Sequence, residues 1–380
     1  MEQFKFTGQV FSGDDSLSVL NNLNCKSALI VTDKFMVEFG YLKPINELLS
    51  QKGVQTTCFD GVLPDPSTAV IAEGVKVYAA AKPDLVIAVG GGSVIDAAKG
   101  IMYFEREVEG HGNWKKPTFV AVPTTSGTGS ECTSFAVITS EKGKICIIED
   151  WLVPDIAILD ANYTMGVPEK ITYDTGMDVL THALEAYVST SATSFTDGLA
   201  EKATRMVLEN LPKLKRNLKD KEARNEMHKA SCIAGIAFSQ AGLGLNHSLA
   251  HALGGRFHVP HGRANTVMIE TIMDYNVGEG QLEQNCVAKK YAELAKAVGL
   301  SARTVREGYM NLRAAIVDLK QTLGVPKNVQ ALDIDEAEFT AAIADMAKNA
   351  LEDRCTPTAP RQPQLEDIVG LYKIAYTQRF

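Results

Sequence analysis

The sequence predicts two architectures in series: an α/β half built on a mostly parallel sheet, then a half made only of helices. Three observations carry this. Short apolar runs, SALIVT at 27–32, DLVIAV at 84–89 and DIAIL at 155–159, recur in the first half with helix-length segments between them. Such runs are the signature of strands buried on both faces. A glycine-rich turn and a hydroxyl-rich turn each follow an apolar run. After about Asp160 the strand signals stop, and the apolar spacing is helical from 171 to 380. The chain thus divides into an α/β domain, 1–170, and a helical domain, 171–380, with no low-complexity linker. A site in the cleft between them is expected, because ligand pockets favour domain boundaries.

In chain order, 4–11 reads as an opening strand, 27–32 as a buried strand, 44–51 as a helix, 54–59 as a strand, 67–81 as a helix and 84–89 as a strand. Segments 118–122 and 155–159 are further buried strands, and 135–139 with 144–148 form a hairpin around 141–143. This β-α-β alternation puts helices on both faces of the sheet. The second half carries helical patterns at 171–189, 195–211, 220–240, 246–254, 264–276, 282–298, 303–324, 336–350 and 364–378. The coil-rich gap 353–364 contains Pro357, Pro360 and Pro363.

Composition narrows the function classes. The 380 residues are 45% hydrophobic and 22% charged, with a net charge of −8. No basic run marks a nucleic-acid or anionic-membrane partner, and no apolar stretch approaches the roughly 20 residues of a membrane span. The N-terminus reads as neither a signal nor a transit peptide. Seven cysteines (25, 58, 132, 146, 232, 286, 355) form no CxxC pair, which reads as reduced thiols in the cytoplasm.

The densest chemistry lies in HSLAHALGGRFHVPH, 247–261, which holds four of the seven histidines: His247, His251, His258 and His261. His247 and His251 share a helix face at a spacing of four. The pair Gly254–Gly255 is placed to end that helix, and Pro260 stiffens a loop that delivers His261. Neutral imidazoles leave a divalent cation its full charge, so a carboxylate is needed nearby. TGMDVLTHALEAY, 175–187, supplies Asp178 with His182 four residues on, between apolar positions. A buried Asp there needs a cation or a hydrogen-bond network. Asp178, His182, His247 and His261 are therefore predicted to close on one divalent metal, with His251 beside it. His111 and His228 sit in polar contexts and read as surface residues; His258 falls outside a ligand set already complete.

DLVIAVGGGSVIDAAKG, 84–100, is strand, glycine turn and helix. Gly90, Gly91 and Gly92 let backbone approach a diphosphate, and Ser93 is placed to cap a helix whose N-terminus attracts phosphate. The turn is not GxGxxG and does not by itself specify a dinucleotide. AVPTTSGTGSE, 121–131, follows the next strand and offers Thr124, Thr125, Ser126, Thr128 and Ser130. Polar loops at the carboxyl ends of strands are where a Rossmann-like, doubly wound sheet holds nucleotides. Asp33 ends SALIVTD; a carboxylate there accepts from a ribose diol and repels a 2′-phosphate, favouring NAD over NADP.

Together, VTD at 31–33, GGGSVID at 90–96, PTTSGTGSE at 123–131, TGMDVLTHALEAY and GLGLNHSLAHALGG…PHG at 242–262 resemble the iron-dependent (group III) alcohol dehydrogenase family over essentially the whole chain. TGMDVLTHALEA, FSQAGLGLNH and FHVPHG are most similar to the 1-propanol dehydrogenases of propanediol-using bacterial microcompartments. The resemblance implies Fe(II) on Asp178, His182, His247 and His261, and His251 near the nicotinamide. It implies Gly91, Gly92, Ser93 and Asp96 around the diphosphate of NAD(H), with Thr124, Thr125 and Thr128 nearby and Lys144 near the nicotinamide ribose. It further implies a homodimer or larger homo-oligomer, with shell or enzyme partners if encapsulated. Cys132 stands where an aliphatic residue is commoner.

The expected activity is reversible, NAD(H)-linked reduction of short aldehydes such as propanal to primary alcohols. Leu249, Leu253, Phe257 and Val259 are expected to make the ligand environment apolar. Zinc suits the same ligands. The alternatives are 1,3-propanediol or butanol dehydrogenase activity within the family, and a sugar-phosphate cyclase or lyase like dehydroquinate synthase. The latter needs basic residues in the cleft, where only Arg256 and Arg263 are near the ligands. A metal-stabilised scaffold protein leaves both polar loops unexplained.

Overall fold

The computed structural model describes residues 3–141 and 143–377. The chain forms two compact units: Phe6–Val167, and the chain from Pro168 together with the residues before Phe6. No helix among the described residues is long and apolar enough to cross a membrane.

The first unit runs β1 (Gln9–Ser12), β2 (Ser27–Thr32), α1 (Lys34–Glu38), α2 (Lys43–Gln51), β3 (Gln55–Phe59), α3 (Thr68–Ala81), β4 (Leu85–Gly90), α4 (Gly92–Glu109), β5 (Thr118–Pro123), β6 (Phe135–Ser140), β7 (Gly143–Ile148) and β8 (Ile156–Leu159). Six strands form one sheet in the order β1-β8-β5-β4-β2-β3, and every pair is parallel. Alternate residues feed opposite cores. Leu29, Val31, Val86 and Ala88 pack on one side with Ile95, Ala98 and Ile101 of α4. Ile30, Leu85, Ile87 and Val89 pack on the other with Ile45 and Leu49 of α2. Strands buried on both faces explain why the runs are apolar throughout. β6 and β7 form the expected antiparallel hairpin; Lys142 of its turn lies outside the described residues.

The opening strand is shorter than 4–11. β1 begins at Gln9, because Phe4 stacks on Phe195 at 5.6 Å and the Lys5 amide donates to Gln240 Oε1, placing both in the other unit. The pattern also missed α1, five residues that Asp33 caps by accepting from the Met36 amide at 3.0 Å.

The second unit is helical: α5 (Glu169–Val188), α6 (Ser194–Arg216), α7 (Lys221–Ala241), α8 (Leu245–Phe257), α9 (His261–Thr266), α10 (Ile269–Val277), α11 (Cys286–Ala297), α12 (Val305–Leu323), α13 (Glu336–Leu351) and α14 (Leu365–Thr377). Gln378, the last residue of the expected 364–378 helix, lies outside the described residues. The expected helix 264–276 is two helices, α9 and α10, with Val267 as the C-cap of the first.

Three readings are corrected here. Gly254–Gly255 does not end α8; the helix continues to Phe257 and stops at His258, which adopts a left-handed φ of 55°. Gly255 faces open space, whereas a Cβ on Gly254 would sit 3.1 Å from the Val259 carbonyl of the returning chain. His261 is the first residue of α9 with Pro260 as N-cap, so a helix rather than a loop presents it. His228 is buried on α7, because it shares a helix face with Arg224, Ser231 and Cys232, all of them buried; His111 is exposed and pairs with Glu107 at 2.6 Å.

Two glycines give opposite expectations. A Cβ at Gly74 of α3 would run into the Ile101 side chain of α4, so Gly74→Ala should destabilise the α/β unit by about 1–3 kcal/mol through overpacking. Gly255 is helical with nothing nearby, so Gly255→Ala should stabilise by about 0.5–1 kcal/mol. Urea unfolding of the two variants checks both signs.

Candidate metal centre

α5 is buried along nearly its whole length. Asp178, His182 and Glu185 occur at spacings of four and three, which aligns them on one face. Three polar side chains buried in a row require partners from outside the helix. α8 and α9 supply them. A Cβ on Gly262 would collide with the Asp174 carbonyl of α5, so the missing side chain lets α9 lie against α5 and brings His261 beside Asp178.

One ligand atom from each of Asp178, His182, His247 and His261 lies within 4.8 Å of the others. Asp178 Oδ1 is 3.8 Å from His247 Nε2 and 3.5 Å from His261 Nε2. The His182 and His247 rings stack at 4.7 Å. His247 Nε2 is buried and makes no hydrogen bond among the described residues, while its Nδ1 is 2.5 Å from Glu185 Oε2. A ring held through one nitrogen with the other left bare is the arrangement of a metal ligand oriented by a carboxylate. Burial and the neighbouring imidazoles hold the His247 pKa well below its ordinary value, which keeps the ring in the neutral, ligating form. One carboxylate and three imidazoles fit a divalent iron or zinc ion.

Glu185 escaped the sequence reading, although its spacing from His182 on an apolar helix was visible. Its carboxylate accepts from the Asn246 amide at 2.7 Å and the His247 amide at 3.3 Å. It thereby serves the N-terminus of α8, whose own N-cap, Gly244, makes no side-chain bond. Burial pushes the Glu185 pKa up to about 8, and the amides oppose that shift. Asn265, four residues after His261, also escaped notice; its Nδ2 donates to Asp178 Oδ1 at 2.7 Å. Phe238 of α7 stacks on His182 at 4.4 Å and gives the cluster an apolar wall. Leu249, Leu253, Phe257 and Val259 do not: they pack with Phe339, Ile343 and Tyr372 of α13 and α14 in the helical core. Leu249 and Leu253 occupy the face of α8 turned from His247 and His251, and Val259 lies beyond the helix end.

His251 lies one turn beyond His247. Its ring stacks on His261 at 5.3 Å, and its Nδ1 is 2.9 Å from Asp353 Oδ2. Burial raises the Asp353 pKa, but the His251 ring and the Cys355 amide outweigh it and bring the group down to about 2. Arg263 is engaged by Asp174 at 3.0 Å, and Arg256 lies over the Phe257 ring.

The α/β unit assembles the two polar loops at adjacent strand ends. The Thr124 amide donates to the Gly90 carbonyl at 3.0 Å. A Cβ on Gly91 would be 3.2 Å from Thr125 Oγ1, and one on Gly92 would be 2.7 Å from the Thr128 methyl. Gly91, not Ser93, is the N-cap of α4; the Ser93 hydroxyl instead accepts from the Asp65 amide at 3.3 Å. Asp65 in turn pairs with Lys144 at 2.8 Å. Asp96 accepts from the Ser130 hydroxyl at 2.6 Å and the Val137 amide at 3.0 Å, so its carboxylate tethers the second loop. Lys99, fully buried one turn later, donates to the carbonyls of Ser130, Thr133 and Phe135 at 2.7–2.8 Å.

Residues 8–161 match the iron-containing alcohol dehydrogenase model, and 172–376 match the C-terminal model of the same family. The chain belongs to the iron-containing alcohol dehydrogenase family. It is 41% identical to the 1-propanol dehydrogenase PduQ of Salmonella typhimurium, over 97% of this chain and 98% of that one. It is 36% identical to an NADPH-dependent butanol dehydrogenase of Clostridium saccharobutylicum, over 99% and 98%. It spans about half the length of a longer relative, aldehyde-alcohol dehydrogenase 2 of Entamoeba histolytica, covering 47% of it at 37% identity over 99% of this chain. The crystal structure of a 1,3-propanediol oxidoreductase superposes with a TM-score of 0.89 at 31% identity, covering 99% of this chain and all of that one.

For an alcohol dehydrogenase of this family, the metal content of variants tests the cluster directly. His261→Ala should lose stoichiometric metal, whereas Glu185→Gln should retain the ligands but weaken binding roughly ten- to a hundredfold. Metal analysis after dialysis against a graded chelator distinguishes the two. Full occupancy in His261→Ala would reject the assignment.

Proposed function

We propose that this protein is an iron-dependent, NAD(H)-linked alcohol dehydrogenase that reversibly reduces short aldehydes such as propanal to primary alcohols. The observation that carries the reading is the bare, buried Nε2 of His247 among Asp178, His182 and His261. A divalent cation held there supplies Lewis acidity toward a carbonyl or hydroxyl oxygen.

The chain's own residues do the rest. Glu185 orients His247 through its Nδ1. Gly91, Gly92 and Ser93, at the start of α4, and Thr124, Thr125 and Thr128 hold the cofactor diphosphate, with the helix N-terminus adding favourable charge. Asp96 acts on this site by holding Ser130, and Lys144 serves the nicotinamide ribose. A nicotinamide cofactor held there would supply or accept the hydride at its C4 carbon. His251 exchanges the accompanying proton with the substrate oxygen; its side chain is 38% exposed, so water can carry that proton away.

Short primary alcohols are supported by the named relatives and by Phe238 beside His182. The engaged state of Arg263 weighs against a phosphorylated sugar, which would need uncommitted cations. The family resemblance extends the proposal to a homo-oligomer working within a shell compartment of the cytoplasm.

Two measurements test this reading. In α1's cap, Asp33 spends one oxygen on the Met36 amide and offers the other to a ribose diol. Asp33→Gly should therefore raise kcat/KM with NADPH relative to NADH, and a wild type that already prefers NADPH would remove Asp33 from that role. For the substrate, rates with NADH across two- to six-carbon aldehydes should vary modestly, because each methylene discriminates by only about 1–3 kcal/mol. Iron-loaded enzyme should outperform zinc-loaded enzyme and lose activity in air. A strong preference for a polyhydroxylated or phosphorylated substrate, or better activity with zinc, would overturn the respective claim.

A further inference from the structure

Asn246 and Asn265 border the metal centre without supplying a ligand to it. Asn246 lies in the first turn of α8 and Asn265 near the end of α9, and both are buried. Their side chains meet. Asn246 Nδ2 donates to Asn265 Oδ1 at 2.9 Å and to the Asn265 carbonyl at 3.2 Å. Asn265 Nδ2 in turn donates to Asp178 Oδ1 at 2.7 Å and lies 3.3 Å from His261 Nε2. Asn246 Oδ1 is buried and makes no hydrogen bond among the described residues. The backbone amide of Asn246 donates to Glu185, the carboxylate that sits against His247.

This row of amides has one direction. An ionised carboxylate only accepts hydrogen bonds, so Asn265 must turn its NH2 group toward Asp178. Its oxygen then faces α8 and needs a donor, which the NH2 group of Asn246 supplies. The bare Asn246 oxygen is the consequence. A buried carbonyl without a partner is costly, and a leucine of similar size would carry no such group. We propose that Asn246 is a positioning residue of the metal centre: acting through Asn265, it fixes the Asp178 oxygen that faces His247 and His261. That oxygen has two lone pairs; Asn265 takes one, and the other is kept for the cation. Because the Asn246 backbone also serves Glu185, one residue of α8 holds Asp178 and His247 in register. The role given to Asn246 rests on the metal centre described above.

Metal binding by the full-length protein tests this without any substrate. Asn246→Leu exchanges one unpartnered oxygen, its own, for another, that of Asn265. The urea midpoint of the metal-free protein should therefore stay close to wild type. Affinity for zinc and cobalt, measured by competition with a chelator, should nevertheless fall roughly three- to tenfold, less than for a direct partner of a ligand. Asn265→Leu, which removes the bond to Asp178 itself, should lose roughly ten- to a hundredfold. In the Asn265→Leu background, Asn246→Leu should change affinity by less than about twofold, because the two residues act as one chain. Cobalt-loaded Asn246→Leu should bind stoichiometric metal yet show shifted visible absorption bands, the signature of a re-aimed ligand. If leucine prevents folding, Asn246→Ala answers the same question without added bulk.

Unchanged affinity and unchanged bands in Asn246→Leu overturn the inference. So does an undiminished loss from Asn246→Leu in the Asn265→Leu background. An affinity loss matched by lower stability of the metal-free protein also overturns it, in favour of a packing role. A protein that shows the expected metal effects but leaves aldehydes unreduced would fail the functional reading and leave the Asn246–Asn265 chain standing. If His261→Ala keeps full metal, the ligand set is wrong and the role of Asn246 falls with it.

Discussion

Glu185 is the contact on which the centre depends. One carboxylate, buried on α5, receives two amides from the first turn of α8 and sits against the imidazole that the same turn carries. The N-cap of α8 is Gly244, which has no side chain to offer the first turn, so the start of the helix is fixed by a residue of another helix. The bond that satisfies the backbone and the bond that aims His247 are made by the same group. Fold and ligand geometry are consequently inseparable here: α8 cannot slide along α5 without taking His247 out of register with Asp178 and His182.

Much of the architecture was legible because burial on both faces leaves a plain trace. SALIVT and DLVIAV could only be interior strands, and the return of apolar residues at helical spacing after Asp160 could only be a bundle. The cluster of Asp178, His182, His247 and His261 was legible for a related reason: Asp178 and His182 interrupt an apolar helix, and such interruptions are costly unless they converge on something. His228 shows the limit of that logic. The residues around it in sequence are mostly polar, yet the helix face it shares with Arg224, Ser231 and Cys232 is buried, and face rather than neighbourhood decides exposure.

What was not legible came from long-range approach. Asn265 and Asp353 act on residues 87 and 102 positions away, and no local spacing announces such pairs. Gly262 carries no local signal of its own; its reason is the α5 backbone lying where a side chain would be. The apolar residues of α8 were assigned to the wrong side because periodicity tells which residues share a face but not which neighbour that face meets. The core of α13 and α14 claimed them.

The buried Lys99 has a consequence for binding. Residues 124–134 contain little regular structure, and a segment of that kind ordinarily samples many conformations before a ligand selects one. Here a single ammonium group gathers two carbonyls of the segment's second half and that of Phe135 just beyond it, and Asp96 secures Ser130 from the same helix. Much of the conformational entropy that a ligand would otherwise have to remove has already been lost in folding. A diphosphate held at the carboxyl ends of β4 and β5, as proposed above, would meet preorganised hydroxyls, and more of its interaction energy would be retained as affinity.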